Sequence, residues 1–427
     1  MKSALSPIQP TTANERADIL DILRGIALLG IIVANYAMFS LYIFQPIEKT
    51  RAMPTATIDY WIGWLHFIFI DGKFYSIFSL LFGIGFSIIL KNAAQKGKKG
   101  LTFFYRRIFV LMLIGLAHLL LLWEGDIVML YALIGLLLPL FRNFSNRALI
   151  ITAVGLLLLP IAIDLVKILT DNRINMSHWL TTIGRSMDKE IGVTEKNFST
   201  WLVDHKNYSD LLAYNRVGVV YRYQMLLENN RVFKVLAMFL VGLYVGRNLI
   251  YAKLQENKTL FKKLQGWGFL VGLPISVFHA WLEMNGKRLP AIVGWYNTIS
   301  YAFSVVPLSL AYTATICLWY LNNPHHKIMR VFAKPGRMAL TNYISQTIFG
   351  IAIFYGIGLG LGAKTGVLYV WLIAIAIYLL LIFLSQIWLK YFNYGPLEWV
   401  WRMITYGKWL TIAKNKLPRG DKLITPN

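Results

Sequence analysis

His118, Glu124 and Asp126 are the residues whose types and spacing offer chemistry. They fall in the stretch 115–135, where two apolar runs flank a polar knot closed by Gly125. An imidazole beside carboxylates is the material of general acid–base catalysis: the ring carries the proton, and a carboxylate orients it and favours its charged form. Ionisable groups near membrane depth are costly and usually face a protein interior or a water-filled cavity. Gly125 gives the chain the freedom for a tight reversal. Two readings follow: the carboxylates cap a loop, or all three groups converge on a polar pocket. Eight residues of helix separate His118 from Asp126 by about 12 Å, so the second reading requires the turn to fold back.

The elements that must position this knot are membrane helices. The 427 residues are 57% hydrophobic and 15% aromatic, with mean hydropathy +0.53. Apolar windows of about 20 residues, the length that crosses a hydrocarbon core, recur along the chain. The expected fold is an all-α polytopic bundle of about ten spans: 19–41, 72–90, 104–123, 127–141, 148–168, 232–249, 264–284, 293–320, 338–361 and 366–389. The stretch 56–70 is short and aromatic and reads as an interfacial or re-entrant helix.

The net charge of +23 does not imply nucleic acid, because Lys and Arg cluster between the apolar runs. With both termini inside, the inner connections hold 27 basic residues and the short outer ones six, as the positive-inside rule expects. The predicted organisation is a cytoplasmic tail (1–18), a first membrane half (19–168), an extracytoplasmic loop or lid (169–231), a second membrane half (232–391) and a cytoplasmic tail with an interfacial helix (392–427). The first 18 residues lack the form of a cleavable signal. A single cysteine, Cys317, excludes an intramolecular disulfide, and no Cys/His set has zinc spacing, so no metal is expected.

Further polar motifs mark the helix ends. Asp21 and Arg24 open the first span and Arg106-Arg107 the third, all on the inner side; alone they read as interfacial anchors. Asp71-Gly72-Lys73 is either a local ion pair or part of an outer pocket with His118. Gly83-Ile-Gly85 has the spacing of a close-packing face. In the ninth span Thr341, Asn342, Ser345 and Gln346 share one face, as interhelical glue or as the lining of a tunnel.

Taken together, Arg24-Gly25 with Asn35-Tyr36, Gly72-Lys73 to Gly83, Gly115-Leu-Ala-His118 with Gly125-Asp126, Gly336-Arg337 to Asn342-Tyr343, and Tyr394-Gly-Pro-Leu-Glu-Trp399 resemble the YeiB-like family of bacterial membrane proteins, DUF418. The resemblance runs over almost the whole chain. That family has been grouped with transmembrane acyltransferases, including heparan-α-glucosaminide N-acetyltransferase and the glucan succinyltransferases. It implies a multi-pass protein of the bacterial cytoplasmic membrane that moves an acyl group from cytosolic acyl-CoA, acetyl-CoA above all, to an extracytoplasmic hydroxyl or amine on a glycan or other envelope molecule. Membrane lipids and a homodimeric partner fit the same picture.

In that scheme Arg24, Arg106 and Arg107 bind the donor phosphates, and Asn35, which matches a functional asparagine of the lysosomal acetyltransferase, donates to the oxyanion. Asp71, Lys73, Asn342 and Gln346 line the path. The sequence departs from the acetyltransferase pattern in one respect: no histidine lies between Tyr36 and Trp64. His118, oriented by Asp126 or Glu124, is therefore the expected base, on position rather than alignment. A transporter or exporter of a small molecule or lipid is the alternative, since intramembrane ionisable groups are equally its signature.

Overall fold

A computed structural model of the chain describes residues 18–414 apart from 96–99, 176, 287, 288, 290 and 325. The expected N-terminal tail, except Asp18, and the end of the C-terminal tail beyond residue 414 lie outside the described residues. The helices in chain order are α1 (Asp18–Phe39), α2 (Ala56–Leu65), α3 (Lys73–Gln95), α4 (Gly100–Leu121), α5 (Val128–Gly135), α6 (Asn146–Leu169), α7 (His178–Glu190) and α8 (Tyr208–Glu228). They continue with α9 (Arg231–Arg247), α10 (Lys258–Met284), α11 (Ile292–Asn322), α12 (Lys327–Arg337), α13 (Ala339–Phe354), α14 (Val367–Tyr391) and α15 (Pro396–Tyr406).

Among the described residues, seven helical stretches are long and apolar enough to cross a membrane: α1, the run Ala56–Gln95 that contains α2 and α3, α4, α6, α10, α11 and α14. The protein is a multi-pass membrane protein. On α6 and α14 the exposed side chains are largely apolar, Ile151, Val154, Leu379 and Phe383 among them, which is the surface a bilayer covers.

Three of the expected spans form shorter helices. α5 has 8 residues, α13 has 16 and α9 has 17. In α9, Val235 to Leu240 are buried one after another. A helix apolar all round is enclosed by protein rather than lipid, and its length is then not set by bilayer thickness. The stretch 56–70 is helical: α2 runs into a π turn, His66–Ile70, and the chain breaks at Gly72, whose φ is 75°.

Small residues let key helices touch backbone to backbone. A Cβ on Gly336 would lie 1.8 Å from the Asp21 carbonyl oxygen, and one on Gly25 would lie 1.9 Å from that of Phe332. The α1–α12 crossing therefore depends on both glycines. This is the structural content of the Arg24-Gly25 and Gly336-Arg337 motifs. The 169–231 region folds as α7, a short turn at Trp201–Asp204 and α8, and α8 lies over the far end of α4, where the Tyr208 hydroxyl donates to the Leu121 carbonyl at 2.7 Å.

Candidate functional site

Helix α4 ends when the N–H groups of Leu122 and Trp123 both return to the His118 carbonyl, at 3.0 and 2.9 Å. The chain reverses through Glu124-Gly125, and Asp126 starts the next helix: its Oδ2 accepts from the Met129 N–H, satisfying an otherwise orphaned first-turn donor. The reversal brings Asp126 back against His118. Nδ1 of His118 lies 2.8 Å from Asp126 Oδ1, with both side chains fully buried. The contact is not aligned as a hydrogen bond, so Asp126 acts on the ring chiefly through its charge, which favours the proton on Nδ1. In that tautomer Nε2 accepts from the Thr347 hydroxyl of α13 at 2.9 Å. One turn earlier, Tyr343 packs its ring 5.2 Å from the imidazole and accepts from the Ile127 N–H at 3.2 Å.

The loop-end region closes this knot. Arg222 of α8 donates to the Asp126 carbonyl at 3.0 Å, and Asn215 donates to that of Leu120 at 3.4 Å. Glu124 points the other way and packs on Gly218 of α8, where a Cβ would come within 2.6 Å of it. Between the two carboxylates considered as partners of His118, only Asp126 touches the ring. Burial pushes the Glu124 carboxyl up to about 7, against the pull of nearby Arg222; desolvation penalises its charged form more than the guanidinium favours it.

A cavity of about 900 Å³ enters the bundle from the opposite end. Its wall runs along α1 from Asp18 to Ile31, about 13 residues or roughly 20 Å of rise. Arg24, Lys91, Arg107, Arg337 and Arg402 line it together with Asp18, Asp21 and Glu398, and Ile127, Tyr131 and Tyr343 line it as well. Arg24 is held 2.6 Å from Asp21, and Arg107 lies 3.9 Å above the Trp401 ring. Because Tyr343 and Ile127 both belong to the wall and both touch the His118 knot, one layer of side chains separates the cavity from the imidazole. His118 itself does not line it.

A family profile described as "Protein of unknown function (DUF418)" matches residues 245–408. Over nearly its whole length the chain is also similar to bacterial proteins. It is 30% identical over 416 residues to "Uncharacterized protein YxaH" of Bacillus subtilis, covering 96% of this chain and 99% of the relative. It is 30% identical over 410 residues to an uncharacterized 39.9 kDa protein from the amylase 3' region of Bacillus acidopullulyticus, covering 96% and 99%. It is 26% identical over 402 residues to "Uncharacterized protein YeiB" of Escherichia coli, covering 92% and 96%. The chain belongs to the YeiB-like DUF418 family.

In this DUF418 protein the remaining predicted residues separate into groups. Arg24 and Arg107 line the cavity, whereas Arg106 does not and lies beside Gly407. Asn35 stands one turn beyond Ile31 on the stripe of α1 that begins at Leu28, and among the described residues its amide has no hydrogen-bond partner. Asn342 and Gln346 line no part of the cavity. The Asn342 amide donates to Pro335 O at 3.1 Å and Ser385 Oγ at 3.0 Å, and Gln346 donates to Leu28 O at 3.4 Å. In this structure both tie helices together. Asp71 and Lys73 are not near His118 but in a second polar cluster: buried Lys73 donates to Phe67 O at 2.6 Å, and the groups acting electrostatically on Asp71 are Lys73, His66, His279 and Arg231.

The Gly83-Ile-Gly85 motif divides: Gly83 abuts the Phe239 carbonyl of α9, while Gly85 lines the cavity. Glu398 of the Tyr394-to-Trp399 motif accepts from the N–H groups of Leu340 and Thr341 at 2.7 and 3.2 Å, capping α13, which carries Tyr343 and Thr347. Sequence reasoning missed Thr347, Tyr343 and Arg222. The i, i+4 pair Tyr343 and Thr347 was the available signal; for Arg222, inside a long polar loop, there was none.

Proposed function

We propose that this DUF418 protein is an acyltransferase of the bacterial cytoplasmic membrane, with both termini and the cavity mouth on the cytosolic side. The observation that carries the reading is the placement of a buried His118–Asp126 pair one tyrosine layer behind a deep cavity with five basic side chains in its wall. Guanidinium groups suit bidentate phosphate binding, so Arg24, Arg107, Arg337 and Arg402, with Lys91, receive the phosphates of acyl-CoA. The roughly 20 Å of wall directs the thioester toward Tyr343.

The acceptor, a hydroxyl or amine of an envelope molecule, replaces Thr347 as the partner of His118 Nε2. Nε2 takes the acceptor proton as its oxygen or nitrogen attacks the thioester carbonyl carbon. The C–S bond breaks, and the imidazolium returns the proton to the leaving thiolate. Asp126 stabilises the imidazolium that forms between these steps, and Asn35 is assigned to the developing oxyanion. Reaction requires Tyr343 to move aside and the Thr347 hydroxyl to give up its place on Nε2.

Acyl-CoA should stabilise the purified protein thermally, because a ligand that binds the native state alone raises apparent stability. Arg107→Gln and Arg337→Gln should each lose most of that shift. No shift in the wild type at millimolar acyl-CoA would put the transporter reading ahead. For orientation, buried Cys317 leaves a quiet background: an impermeant thiol reagent applied to intact cells should label Lys196→Cys in the 169–231 region and spare Lys253→Cys. The reverse pattern rejects the topology.

A further inference from the structure

Among the described residues, the second polar cluster holds more basic side chains than carboxylates. Arg231 and Lys234 both stand in the first turn of α9, three residues apart, where the positive end of the helix dipole disfavours cations. Asn230 precedes them with φ 52° and no side-chain cap. Their close partners are tyrosine rings: Arg231 lies 4.9 Å over Tyr75 and Lys234 lies 3.8 Å over Tyr301, and the two phenol oxygens are 2.9 Å apart.

The carboxylates within electrostatic reach of this pair are Asp71 and Asp164. Asp164 is already engaged, by Lys167 and Asn230 at 2.8 Å each and by Thr298 at 2.7 Å. Asp71 is shared with Lys73. Four basic side chains therefore face two carboxylates. Two like charges so placed are relieved when an anion joins them, when water reaches them or when the lysine gives up its proton.

The geometry leaves room for the first. Asp71, Tyr75, Arg231, Lys234 and Tyr301 are all partly exposed, at the bundle end that carries the 169–231 region, while Lys73 and His279 beneath them are fully buried. They form a partly exposed cluster over a buried floor. In that floor His279 uses Nδ1 on Ser300 at 3.1 Å and packs edge-on to Tyr301 at 5.4 Å, and its Nε2 is buried with no hydrogen-bond partner among the described residues. An unfilled polar position therefore lies near Lys234.

We propose that this cluster binds a phosphate group, with Arg231 and Lys234 as its basic ligands and the Tyr75–Tyr301 hydroxyl pair at its edge. A fork and a point charge side by side complement a tetrahedral oxyanion. The inference does not rest on the acyl-transfer reading, because the cavity and His118 take no part in it. The same chemistry is offered by a soluble phosphate ester and by a phospholipid headgroup.

The test is thermal melting of the full chain in nanodiscs at constant ionic strength, set with sodium chloride so that general screening is matched. Discs of phosphatidylcholine alone, titrated with inorganic phosphate or glycerol phosphate, probe the soluble source. Discs containing phosphatidylglycerol probe the headgroup. A rise of several degrees in either arm is expected, with most of it lost in Lys234→Gln and in Arg231→Gln and retained in Arg185→Gln on the exposed face of α7.

Two signs make the proposal specific. Lys234→Gln should melt higher than wild type without added anion, since it relieves the repulsion. Asp71→Asn should tighten phosphate binding, by about tenfold for the loss of one opposing charge near the site. No shift in either arm, or equal shifts in wild type and Lys234→Gln, overturns the site. So does weaker binding in Asp71→Asn.

Discussion

Two buried histidines show what separates a candidate base from a packed ring. His118 and His279 are both enclosed by helices, and each gives one ring nitrogen to a hydroxyl, Thr347 for the first and Ser300 for the second. His118 also has a carboxylate 2.8 Å from its other nitrogen, and its neighbours form a cavity wall. At His279 the other nitrogen has no hydrogen-bond partner among the described residues, and the charges around it are mixed, Asp71 with Lys73 and Lys234. A ring that must accept a proton needs a nearby negative charge to hold the resulting imidazolium. His118 has that charge in contact, whereas Asp71 acts on His279 only from beyond ion-pair distance and alongside Lys73 and Lys234. Burial alone distinguishes nothing.

The sharpest way to break this comparison is to exchange each ring for an amide. His118→Gln and His118→Ala should each lower acyl transfer by about 10²–10⁴-fold, the usual cost of losing a general base, while His279→Gln should stay within a few-fold of wild type. Equal losses at both positions, read as initial rates on matched amounts of folded protein, would mean that the rings serve packing alone.

Asp126→Asn comes next. Its amide oxygen can still accept from the Met129 N–H, so folding should survive, but the charge is gone, and the rate should fall by at least about tenfold. A variant as fast as wild type would remove Asp126 from the mechanism.

Glu124 provides a contrast in the same turn. Its carboxyl is raised from 4.5 to about 7, so between those values the folded state holds more protons than the unfolded one. Stability should fall as pH rises from 4.5 to about 7 and level off above that, a span worth at most about 3 kcal/mol. Glu124→Gln should flatten the slope and melt higher than wild type at pH 8, with activity little changed. Unchanged pH dependence of melting would contradict the buried, proton-holding placement.

The smallest effect is expected from Thr347→Val. It deletes the resting partner of Nε2 while leaving the base, so turnover should change by only a few-fold. A loss as large as that of His118→Gln would make the hydroxyl part of the chemistry rather than a placeholder for the acceptor.

These residues also show what was legible in the sequence. Long apolar windows marked the helices that face lipid, because a bilayer fixes their length. Residues 231–247 give a helix shorter than the span read from the sequence because protein encloses it, and residues 339–354 stop at 16 residues with Ile348 still exposed. The polar knot was legible as far as Asp126, since its eight-residue separation required only one reversal. Thr347 and Arg222 were not, because they approach the knot across 229 and 96 residues of sequence. Asn342 and Gln346 carried the same polar signal as a tunnel lining, and only their partners on α14 and α1 revealed them as interhelical ties.

The central claim is that His118 takes a proton during transfer of an acyl group from a thioester donor. It is tested most directly by following free thiol released from acetyl-CoA by nanodisc-embedded protein in the presence of bacterial envelope extract. The account predicts extract-dependent release by the wild type and background release by His118→Gln at equal protein and equal melting temperature. Release at the same rate by both proteins, or none by the wild type, would contradict it.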